Sequence, residues 1–512
     1  MTTTVPASGP LSGSSRPPLP ATAPNPQPDR DGAARTYELD RAHVFHSWSA
    51  QASLKPLVVA GGEGSWVWDG DGTPYLDFSS QLVYTNIGLG HPKVVAAIQE
   101  QAAKLVTIAP QHANAARSEA ARLIVERAPG RNFTHVFFTN GGADAIENAV
   151  RMARLHTGRR KVLARYRSYH GNTTTAINLT GDPRRWPNDY GAEGVVHFFG
   201  PFLYRSAFHA TSEEEECARA LEHLEQLIQL EGPSTIAAIV LESIPGTAGI
   251  MVPPPGYLRG VREICDRYGI VWIADEVMSG FGRAGRWFAV ELANEDGAGG
   301  GSGAGAQAAA AGASQAATAG ASQAAAGAAQ AGVEPDLVTF AKGVNSGYVP
   351  LGGVIVSRSI YQTFADRVFP GGLTYSGHPL ACAAAVATIT AMAEEGIVEH
   401  ADRLGREVFG PGLAELAARH EIVGEVRGLG AFWALELVRD RATRQPLVPF
   451  NAAGEANAPM TALAGACRRR GLLPFVNGSR THVVPPLTIT EDEARYGLAL
   501  LDEALGEVES GL

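Results

Sequence analysis

The sequence has 512 residues, with 42 Lys and Arg against 52 Asp and Glu, which gives a formal net charge of −10. Nucleic acids and anionic membranes are bound by cationic faces, so this balance argues against either as the main partner. The length allows two or three domains of about 150 residues. A share of 45% hydrophobic residues is enough to bury a large core, which excludes a wholly disordered chain.

A cytoplasmic protein is expected from the apolar pattern. No apolar run approaches the roughly 20 residues that span a bilayer, and residues 1–28 contain no apolar stretch typical of a signal peptide. The cysteines lie far apart, which predicts neither a disulfide framework nor a metal site. They are Cys217, Cys265, Cys382 and Cys467.

Two segments differ from the rest of the chain in composition. Residues 1–34 are rich in Pro, Ser, Thr, Gly and Ala and have few large apolar side chains, which predicts a disordered tail. Residues 295–332 consist mainly of Gly, Ala, Ser and Gln, and the hexapeptide GASQAA occurs there twice. Recurrent glycines without an apolar stripe favour a flexible surface insertion.

Short apolar runs alternate with helical patterns in the rest of the chain. The runs with the length and composition of buried strands are residues 135–139, 161–165, 236–241, 270–274 and 337–340. This alternation predicts an α/β architecture with a mainly parallel sheet. Ligands of such sheets bind beyond the carboxyl ends of the strands, so the residues that follow each run are candidates for a site.

A glycine-rich turn follows the first run. Residues 140–144 read NGGAD and precede a helical pattern. The free N–H groups and the dipole at a helix start suit an anion such as a phosphate. The same pattern also fits an ordinary turn in which Asp144 caps the helix, so the turn alone leaves both interpretations open.

Three further side chains follow predicted strands. Asp275 follows the fourth run, and a buried carboxylate needs a partner, such as a protonated ring nitrogen, a structural cation or a helix start. Lys342 follows the fifth run, where desolvation would lower the pKa of its amine toward the neutral nucleophile of a Schiff base, unless the side chain is exposed. Tyr169, after the second run, offers a ring for stacking on a ligand or for packing in the core.

Taken in order, these segments resemble the class III aminotransferases, which are pyridoxal phosphate enzymes of the aspartate aminotransferase fold. The resemblance extends over nearly all of residues 37–507. It rests on the order of the pieces and not on any single one. The principal matching pieces are NGGAD at 140–144, YHG at 169–171, Glu242, DEV at 275–277, GFGR at 280–283, AKG at 341–343 and TYSGHP at 374–379.

The resemblance implies an α/β structure of fold type I. A large domain, residues 91–350, would carry a mostly parallel seven-stranded sheet and the cofactor. A smaller α+β domain would combine residues 35–90 with residues 351–512. The insertion at 295–332 would lie within the large domain.

The resemblance also implies roles around the cofactor ring. Lys342 would be the Schiff-base lysine and Asp275 the partner of the pyridinium nitrogen, so these two are the expected catalytic residues. Tyr169 would stack in front of the ring and Val277 would pack behind it. These assignments place four strand-end residues around one cofactor.

The resemblance further implies that the N–H groups of Gly142 and Ala143 bind the phosphate. The serines and the Glu of the family's phosphate turn are absent from this chain, which leaves backbone donors there. Thr374 resembles the threonine that reaches the phosphate from the other subunit, which implies a homodimer with shared active sites. His170 and Glu242 complete the expected set of cofactor-binding residues.

The substrate-binding residues depart from the family pattern. Many relatives carry an Arg just before a Pro-Pro-Leu run to bind a substrate carboxylate, whereas this chain has His482 there and Arg480 two residues earlier. In a strand these two side chains share a face, so Arg480 is a candidate for that role, with an exposed strand arginine as the alternative. Trp48 and Gln81 lie in segments that resemble the pocket lining of relatives acting on ω-amino acids, taurine transaminases among them.

The sequence thus predicts an aminotransferase that moves an amino group from an ω-amino donor, such as taurine, β-alanine or 4-aminobutyrate, to 2-oxoglutarate or pyruvate. A decarboxylase or an aminomutase on the same scaffold stays open, and so does a non-catalytic dimeric binding protein. The presence of both Lys342 and Asp275 argues against the last. A nicotinamide dehydrogenase is disfavoured, since Gly428-Leu429-Gly430 lacks the third glycine of a dinucleotide fingerprint.

Overall fold

The computed structural model describes residues 18–188, 191, 194–295 and 332–512. The helices are, in chain order, α1 (Arg30–His43), α2 (Ser80–Val83), α3 (Pro92–Lys104), α4 (Ala115–Arg127), α5 (Gly142–Thr157), α6 (Thr174–Leu179), α7 (Glu213–Glu231), α8 (Tyr257–Tyr268), α9 (Arg358–Thr363), α10 (Pro379–Glu394), α11 (Ile397–Leu404), α12 (Gly410–Arg419), α13 (Ala458–Arg469) and α14 (Glu491–Glu509). The strands are β1 (Val59–Glu63), β2 (Trp66–Asp69), β3 (Pro74–Asp77), β4 (Phe133–Thr139), β5 (Lys161–Arg165), β6 (Val195–Phe198), β7 (Ile236–Glu242), β8 (Val271–Asp275), β9 (Leu337–Phe340), β10 (Gly352–Ser357), β11 (Val423–Leu429), β12 (Phe432–Asp440), β13 (Gln445–Pro446), β14 (Leu472–Leu473), β15 (Phe475–Val476) and β16 (Arg480–Val483).

The largest sheet has seven strands in the order β4-β10-β9-β8-β7-β5-β6. The pairs β6–β5, β5–β7, β7–β8 and β8–β9 are parallel. Strand β10 runs antiparallel to its neighbours β4 and β9. The predicted α/β fold with a mostly parallel seven-stranded sheet is therefore confirmed.

The predicted apolar runs all form strands of this sheet. Strands β5 and β9 have the predicted bounds, and β4, β7 and β8 differ from the prediction by one or two residues at their ends. Strands β6 and β10 have no counterpart among the predicted runs. Strand β10 begins with Gly352 and Gly353, and a Cβ atom at Gly353 would lie 2.5 Å from Cζ of Phe340 in β9. The close packing of the two strands therefore requires glycine. Because glycine is uncommon inside strands, the sequence does not indicate a strand at this place.

Strand β10 also corrects the predicted domain boundary. It pairs with β4 and β9 of the large sheet, so the large domain extends at least to Ser357 and not to residue 350. Residues 351–357 therefore do not belong to the small domain. The physical reason is that backbone groups of β4 and of one side of β9 would lack hydrogen-bond partners without this strand.

The remaining strands form two smaller sheets, ordered β1-β2-β3-β14 and β11-β12-β16-β15, with β13 beside β12. Strand β14 lies parallel to β3, with Leu472 opposite Leu76. Segments from the N-terminal and the C-terminal parts of the chain thus share one sheet.

The N-terminal segment differs from the predicted tail. Residues 1–17 lie outside the described residues, but α1 begins at Arg30, so residues 30–34 are helical. Asp29 caps this helix, since its Oδ1 accepts the Gly32 N–H at 3.0 Å. Its own N–H donates to Gly70 O at 2.8 Å. The predicted end of the tail at residue 34 is therefore too late.

Most of the predicted insertion, residues 296–331, also lies outside the described residues. The two residues that flank it are joined. The Val333 N–H donates to Asn294 Oδ1 at 2.5 Å, and Asn294 Nδ2 donates to Val333 O at 3.3 Å. The two ends of the predicted insertion therefore lie next to each other.

Helix α5 is fixed on the large sheet with its first turn at the strand ends. Its buried residues include Ile146 and Val150, and they share a buried apolar cluster with Val240 of β7 and Ile273 of β8. Burying a side chain the size of Ile146 stabilises the fold by roughly 2 kcal/mol. The helix ends at Gly158, whose φ of 69° is left-handed.

Within the described ranges, no single helix is both long and apolar enough to cross a bilayer. The segments Pro379–Glu394 and Ile397–Arg419 reach the required length and composition only as a pair, which is bent by 59°.

Candidate active site

Three neighbouring strands bring acidic and basic side chains to one edge of the large sheet. Glu242 at the end of β7 lies opposite Asp275 at the end of β8, and Asp275 lies opposite Thr339 of β9. Lys342 follows β9 by two residues. We call Glu242, Asp275, Lys342 and His170, which contacts Asp275, the strand-end cluster.

Asp275 has a donor for each of its carboxylate oxygens. Its Oδ2 lies 2.7 Å from Nδ1 of His170, and its Oδ1 accepts the Val277 N–H at 3.1 Å. The side chain is 3% exposed, and a carboxylate at this depth needs such partners. Burial lowers the pKa of His170, but the hydrogen bond to Asp275 and the charges of Asp275 and Glu242 outweigh it, so the pKa lies above its ordinary value.

Glu242 binds backbone N–H groups. Its oxygens accept the Tyr169 N–H and the Gly246 N–H, both at 2.8 Å. Burial raises the pKa of this carboxyl, while the charge of His170 opposes the rise and that of Asp275 adds to it. Glu242 therefore holds in place the segment that carries Tyr169.

Lys342 provides an amine beside these carboxylates. Burial lowers the pKa of the amine to about 8, although the negative charges of Asp275 and Glu242 act to raise it. Its φ of 48° is left-handed, and the next residue is tightly packed, because a Cβ atom at Gly343 would lie 2.3 Å from Nδ2 of Asn86. The neutral, nucleophilic form of the amine is accessible close to neutral pH.

The glycine-rich turn packs directly on Val277 and on Gly171. A Cβ atom at Gly142 would lie 2.8 Å from Cγ1 of Val277, and one at Gly171 would lie 2.6 Å from Cβ of Ala143. Among the described side chains none caps the start of α5, and Asp144 bonds a backbone N–H that precedes the helix. The first N–H groups of α5 therefore remain free for an anion.

Tyr169 carries an arginine on its ring. Cζ of Arg184 lies 3.7 Å from the ring centroid, within the range of a cation–π contact. Arg184 also forms a salt bridge with Asp182. Sequence motifs give no indication of Arg184, because it lies in a short 3₁₀ helix, Pro183–Asn188, outside every matching piece.

A second group of charged side chains lies around β12 and β16. Arg480 of β16 is opposite Glu436 of β12 in the sheet register. Glu436 also forms salt bridges with Arg427, at 2.7 Å, and with Arg205. We call the following residues the arginine cluster: Arg167, Arg205, Arg427 and Arg480 with the carboxylates Glu425 and Glu436.

Cations exceed carboxylates in the arginine cluster. Arg427 pairs with both Glu425 and Glu436, whereas Nε of Arg480 is buried and has no hydrogen-bond partner among the described residues. Partial burial and the charge of Arg480 lower the pKa of Arg167 to about 10. Four guanidinium groups against two carboxylates leave a positive excess, which suits the acid group of a ligand.

The sequence identifies only Arg480 of this cluster. Arg167 lies two residues before Tyr169, and Arg427 lies in the segment VRGLG at 426–430 that matches the family. The available signal for Arg167 was its place after strand β5 on the edge where ligands bind. No local pattern indicates that Arg427 and Glu436 pair across two strands.

His482 lies between two backbone carbonyls and does not replace the arginine of the relatives. Its Nδ1 lies 3.2 Å from Phe475 O, and its Nε2 lies 3.2 Å from Gly246 O. Burial lowers the pKa of the imidazole to about 3. The ring is therefore neutral and donates from one nitrogen only.

Three predicted residues lie apart from these clusters or use their polar groups elsewhere. Trp48 is 47% exposed, and Thr374 is exposed as well. Gln81 Nε2 donates to Asp77 Oδ2 at 2.9 Å, so its amide is tied within its own turn. In the part of the chain that the structure describes, no hydrogen bond joins Thr374 or Gln81 to the strand-end cluster.

The donor set of this sheet edge fits pyridoxal phosphate. The ring nitrogen would meet the buried carboxylate of Asp275, the aldehyde would meet the Lys342 amine, and the phosphate would meet the free N–H groups of α5. Gly142 leaves no room for a side chain beside Val277, so a bound anion would meet the backbone at this position.

Comparison with known proteins agrees with this geometry. The profile of the class III aminotransferase family matches residues 48–323 and 316–505. The 5-aminovalerate aminotransferase DavT of Pseudomonas aeruginosa is 33% identical over 464 residues, which cover 89% of this chain and 95% of that protein. The taurine–pyruvate aminotransferase of Bilophila wadsworthia is 30% identical over 502 residues, with coverages of 93% and 98%.

A solved structure gives the same result. The taurine:2-oxoglutarate aminotransferase from Bifidobacterium kashiwanohense, in complex with pyridoxal phosphate and glutamate, has a TM-score of 0.83 at 37% identity, and the match covers 94% of this chain and 99% of that one. Similarity at this level over whole chains extends beyond the fold to the family. The chain therefore belongs to the class III aminotransferases and is a pyridoxal-phosphate-dependent transaminase of fold type I.

Proposed function

We propose that this transaminase takes its amino group from an ω-amino donor, such as taurine, β-alanine or 4-aminobutyrate, and passes it to 2-oxoglutarate or pyruvate. The names of its relatives support the donor class, since they act on 5-aminovalerate and on taurine. They support both acceptors as well, since one relative is named for pyruvate and another for 2-oxoglutarate.

The convergence of Lys342 and Asp275 at the ends of adjacent strands carries the proposal. Pyridoxal phosphate, when bound, supplies an electrophilic carbonyl and an electron-accepting ring. Lys342 Nζ would hold the group through that carbonyl, with release of water, and the free amine would move a proton at the reacting carbon of the substrate. Asp275 holds a proton at the ring nitrogen, and His170, at 2.7 Å, fixes the orientation of its carboxylate.

The other cofactor contacts are assigned by chemistry. The N–H groups of Gly142 and Ala143 bind the phosphate, because they are free at the start of α5. Val277 and Tyr169 bound the two faces of the ring. Glu242 acts through Tyr169, whose N–H it accepts at 2.8 Å.

Arg480 binds the acid group of the substrates, with Arg167 beside it. The positive excess of the arginine cluster supports this role. A guanidinium group offers paired donors to carboxylates and sulfonates alike, so one subsite serves a 2-oxo acid and an acidic donor in turn.

A homodimer with shared active sites is part of the proposal. Large apolar side chains are exposed near the predicted pocket segments, with Phe45 86%, Val368 88% and Tyr375 60% exposed. Such surfaces mark interaction sites, and Thr374, next to Tyr375, would then reach the phosphate of a second copy. Light scattering after size exclusion tests the dimer, and a monomeric holoenzyme would contradict it. A cytoplasmic location without membrane or nucleic-acid partners stays a prediction.

Half-reactions test the proposed substrates. The yellow holoenzyme is mixed with taurine, β-alanine, 4-aminobutyrate or a simple amine, each without an oxo acid, and the loss of visible absorption of the cofactor is recorded. We expect at least one ω-amino donor to bleach the cofactor, and 2-oxoglutarate or pyruvate to restore it. If no ω-amino donor bleaches the cofactor, the proposed donor class is wrong.

Product analysis distinguishes the alternatives on the same scaffold. A transaminase turns over only when an oxo acid is added. Turnover without an oxo acid would identify a decarboxylase if carbon dioxide is released, or an aminomutase if the amino group moves along one substrate.

A further inference from the structure

The short element α2, Ser80–Val83, is a turn and not a regular helix, because its φ and ψ angles are not helical, and its residue types rarely adopt such angles. The φ angles are 44° at Ser80, 62° at Gln81 and 59° at Val83. Left-handed angles are costly for residues other than glycine, most of all for a β-branched valine. Gln81 combines its φ with a ψ of −92°, close to a type of γ-turn that is rare and strained. The surrounding structure must therefore hold this turn in place.

Asp77 holds the turn from one side. Its Oδ1 accepts the Ser79 N–H at 2.9 Å and the Ser79 hydroxyl at 2.6 Å. Its Oδ2 accepts the Gln81 N–H at 3.0 Å and Gln81 Nε2 at 2.9 Å. The carboxylate is buried, and among the described residues no lysine, arginine or histidine forms an ion pair with it. Its hydrogen bonds go to the turn.

Arg283 holds the turn from the other side. Its NH2 group donates to Ser80 Oγ at 3.1 Å and to Asn86 Oδ1 at 2.9 Å. The Ser80 hydroxyl in turn donates to Val484 O at 2.6 Å. Arg283 is fully buried, and its acceptors are neutral, so a buried cation joins the turn to the segment that follows Val277.

The turn is linked to residues next to the strand-end cluster. Asn86 Nδ2 donates to Phe281 O at 2.7 Å, and this nitrogen would lie 2.3 Å from a Cβ atom at Gly343, the residue after Lys342. Val83 shares a buried apolar cluster with Ile244, which follows Glu242 by two residues. A movement of the turn would therefore be passed to the residues next to Lys342 and Glu242.

We propose that Asp77 is a positioning residue that holds the strained Ser80–Val83 turn as a wall of the donor pocket. The inference rests on the proposed function, because it concerns the fit of the amine donor. An asparagine at this position keeps one acceptor oxygen but turns an NH2 group toward the two donors of Gln81. The turn would then relax, and the pocket would lose its shape while the fold persists.

Stability alone does not account for this arrangement. Burial raises the pKa of Asp77, and the hydrogen bonds from Ser79 and Gln81 offset only part of the rise. A raised pKa favours folding while the group is protonated, at low pH, and this contribution is lost as the pH rises through the folded-state pKa. Burial of the carboxyl group and the left-handed angles of the turn each cost folding free energy, as expected of an arrangement retained for function.

The first test compares Asp77→Asn with wild type as holoenzymes. We expect the KM for the amine donor to rise at least about tenfold while kcat changes less than about threefold, and the melting temperature to stay within about 4 °C. Hydrogen exchange of residues 79–85 should become faster, because the Val83 and Tyr84 N–H groups bond Ser79 O and Ser80 O in the turn. Asp71→Asn is the matched control, since that exposed carboxylate pairs with Arg30, and it should change none of these.

A second test addresses the strain and does not depend on the folding of the first variant. Gln81→Gly and Gln81→Ala both remove the amide, but only glycine adopts a φ of 62° without strain. We expect Gln81→Gly to melt at a higher temperature than Gln81→Ala, although glycine normally lowers stability relative to alanine.

Three results would overturn the inference. One is an unchanged donor KM and unchanged exchange in Asp77→Asn. Another is a large fall in melting temperature together with loss of cofactor in that variant, which would make Asp77 a residue of the fold only. The third is Gln81→Ala melting at or above Gln81→Gly. If wild type accepts no ω-amino donor, the proposed function fails, whereas the exchange and melting comparisons still decide the role of Asp77.

Discussion

The strand-end cluster and the arginine cluster are both groups of charges inside one fold, but they differ in whether their charges can change. In the first, burial brings the pKa of Lys342 to about 8, and Asp275 and Glu242 keep the pKa of His170 above its usual value. In the second, the guanidinium groups keep their charge at neutral pH, even at Arg167, where the pKa is lowered to about 10, and Arg427 pairs with Glu436. A cluster that exchanges protons suits catalysis, and one that does not suits recognition of an acid group.

Removing the amine of the strand-end cluster should have the largest effect. We expect Lys342→Ala to lower turnover at least about a thousandfold, because no other described amine lies at this edge to move the proton. The cofactor should still bind without a covalent link, through Asp275 and the start of α5. Borohydride reduction and peptide mapping would find it on Lys342 in wild type only. Full activity in Lys342→Ala would contradict the assignment, and the exposed Lys93→Ala serves as control.

The stability of the cofactor-free protein should show that the amine is buried. The folded-state pKa of Lys342, about 8, lies below its ordinary value of 10.5, so the unfolded chain binds more protons between these values and stability rises with pH across them. The free energy of unfolding of Lys342→Met should therefore exceed that of wild type by up to about 3 kcal/mol at pH 7, and the difference should disappear by pH 10.5. Urea unfolding at several pH values measures the difference.

The same series with Arg480→Met sharpens the comparison of the two clusters. Burial lowers the pKa of Arg480, but a guanidinium group starts from a much higher pKa than an amine, so the stability difference from wild type should change less with pH than that of Lys342→Met. If the Lys342→Met difference is equally flat, the amine is not buried as the structure describes.

Asp275→Asn should slow the half-reaction by at least about a hundredfold, or about 2.7 kcal/mol. Asparagine keeps the shape and a hydrogen bond but not the charge that holds a proton at the ring nitrogen. Melting and dimer formation should stay close to those of wild type. Single-turnover kinetics give the rate, and a loss of less than threefold would leave Asp275 with a structural role only.

In the arginine cluster, Arg480→Gln should raise the KM for the 2-oxo acid about tenfold, or about 1.4 kcal/mol. An amine donor without an acid group should be affected less, since it makes no contact with the guanidinium. Arg444→Gln is the control, because Arg444 is an exposed arginine that stacks on Tyr204. If the KM rises equally for acidic and neutral substrates, Arg480 does not recognise the acid group.

The smallest effect is expected from deleting residues 297–330. The flanks are already joined by the hydrogen bonds between Asn294 and Val333, and loop closure costs only about 0.6 kcal/mol for each doubling of loop length. Melting temperature and turnover should change little. Loss of the dimer in the deletion variant would show that the segment has a role in assembly.

The sequence indicates Asp275 and Lys342 of the strand-end cluster because their signal is local, whereas Glu242 and His170 enter only through the family resemblance. Asp275 and Lys342 each follow an apolar run, and the order of the runs places them on one edge of a parallel sheet. The pairing of Arg427 with Glu436 depends on the register of two strands, which no local pattern encodes. The segment of Gln81 is indicated by resemblance, but the backbone of the turn held by Asp77 is not, because Ser80, Gln81 and Val83 adopt left-handed angles without a glycine to mark them.

The register of β7, β8 and β9 limits how genes for this enzyme can diverge. Side chains of a strand alternate between two faces, so a single-codon insertion or deletion within β8 would move Asp275 out of line with Glu242 and turn its neighbours to the opposite face. Viable lineages would therefore accumulate substitutions in these strands and changes of length elsewhere. The distance in residues from the start of β8 to Asp275 should stay constant among descendants that keep the activity, even where their overall lengths differ.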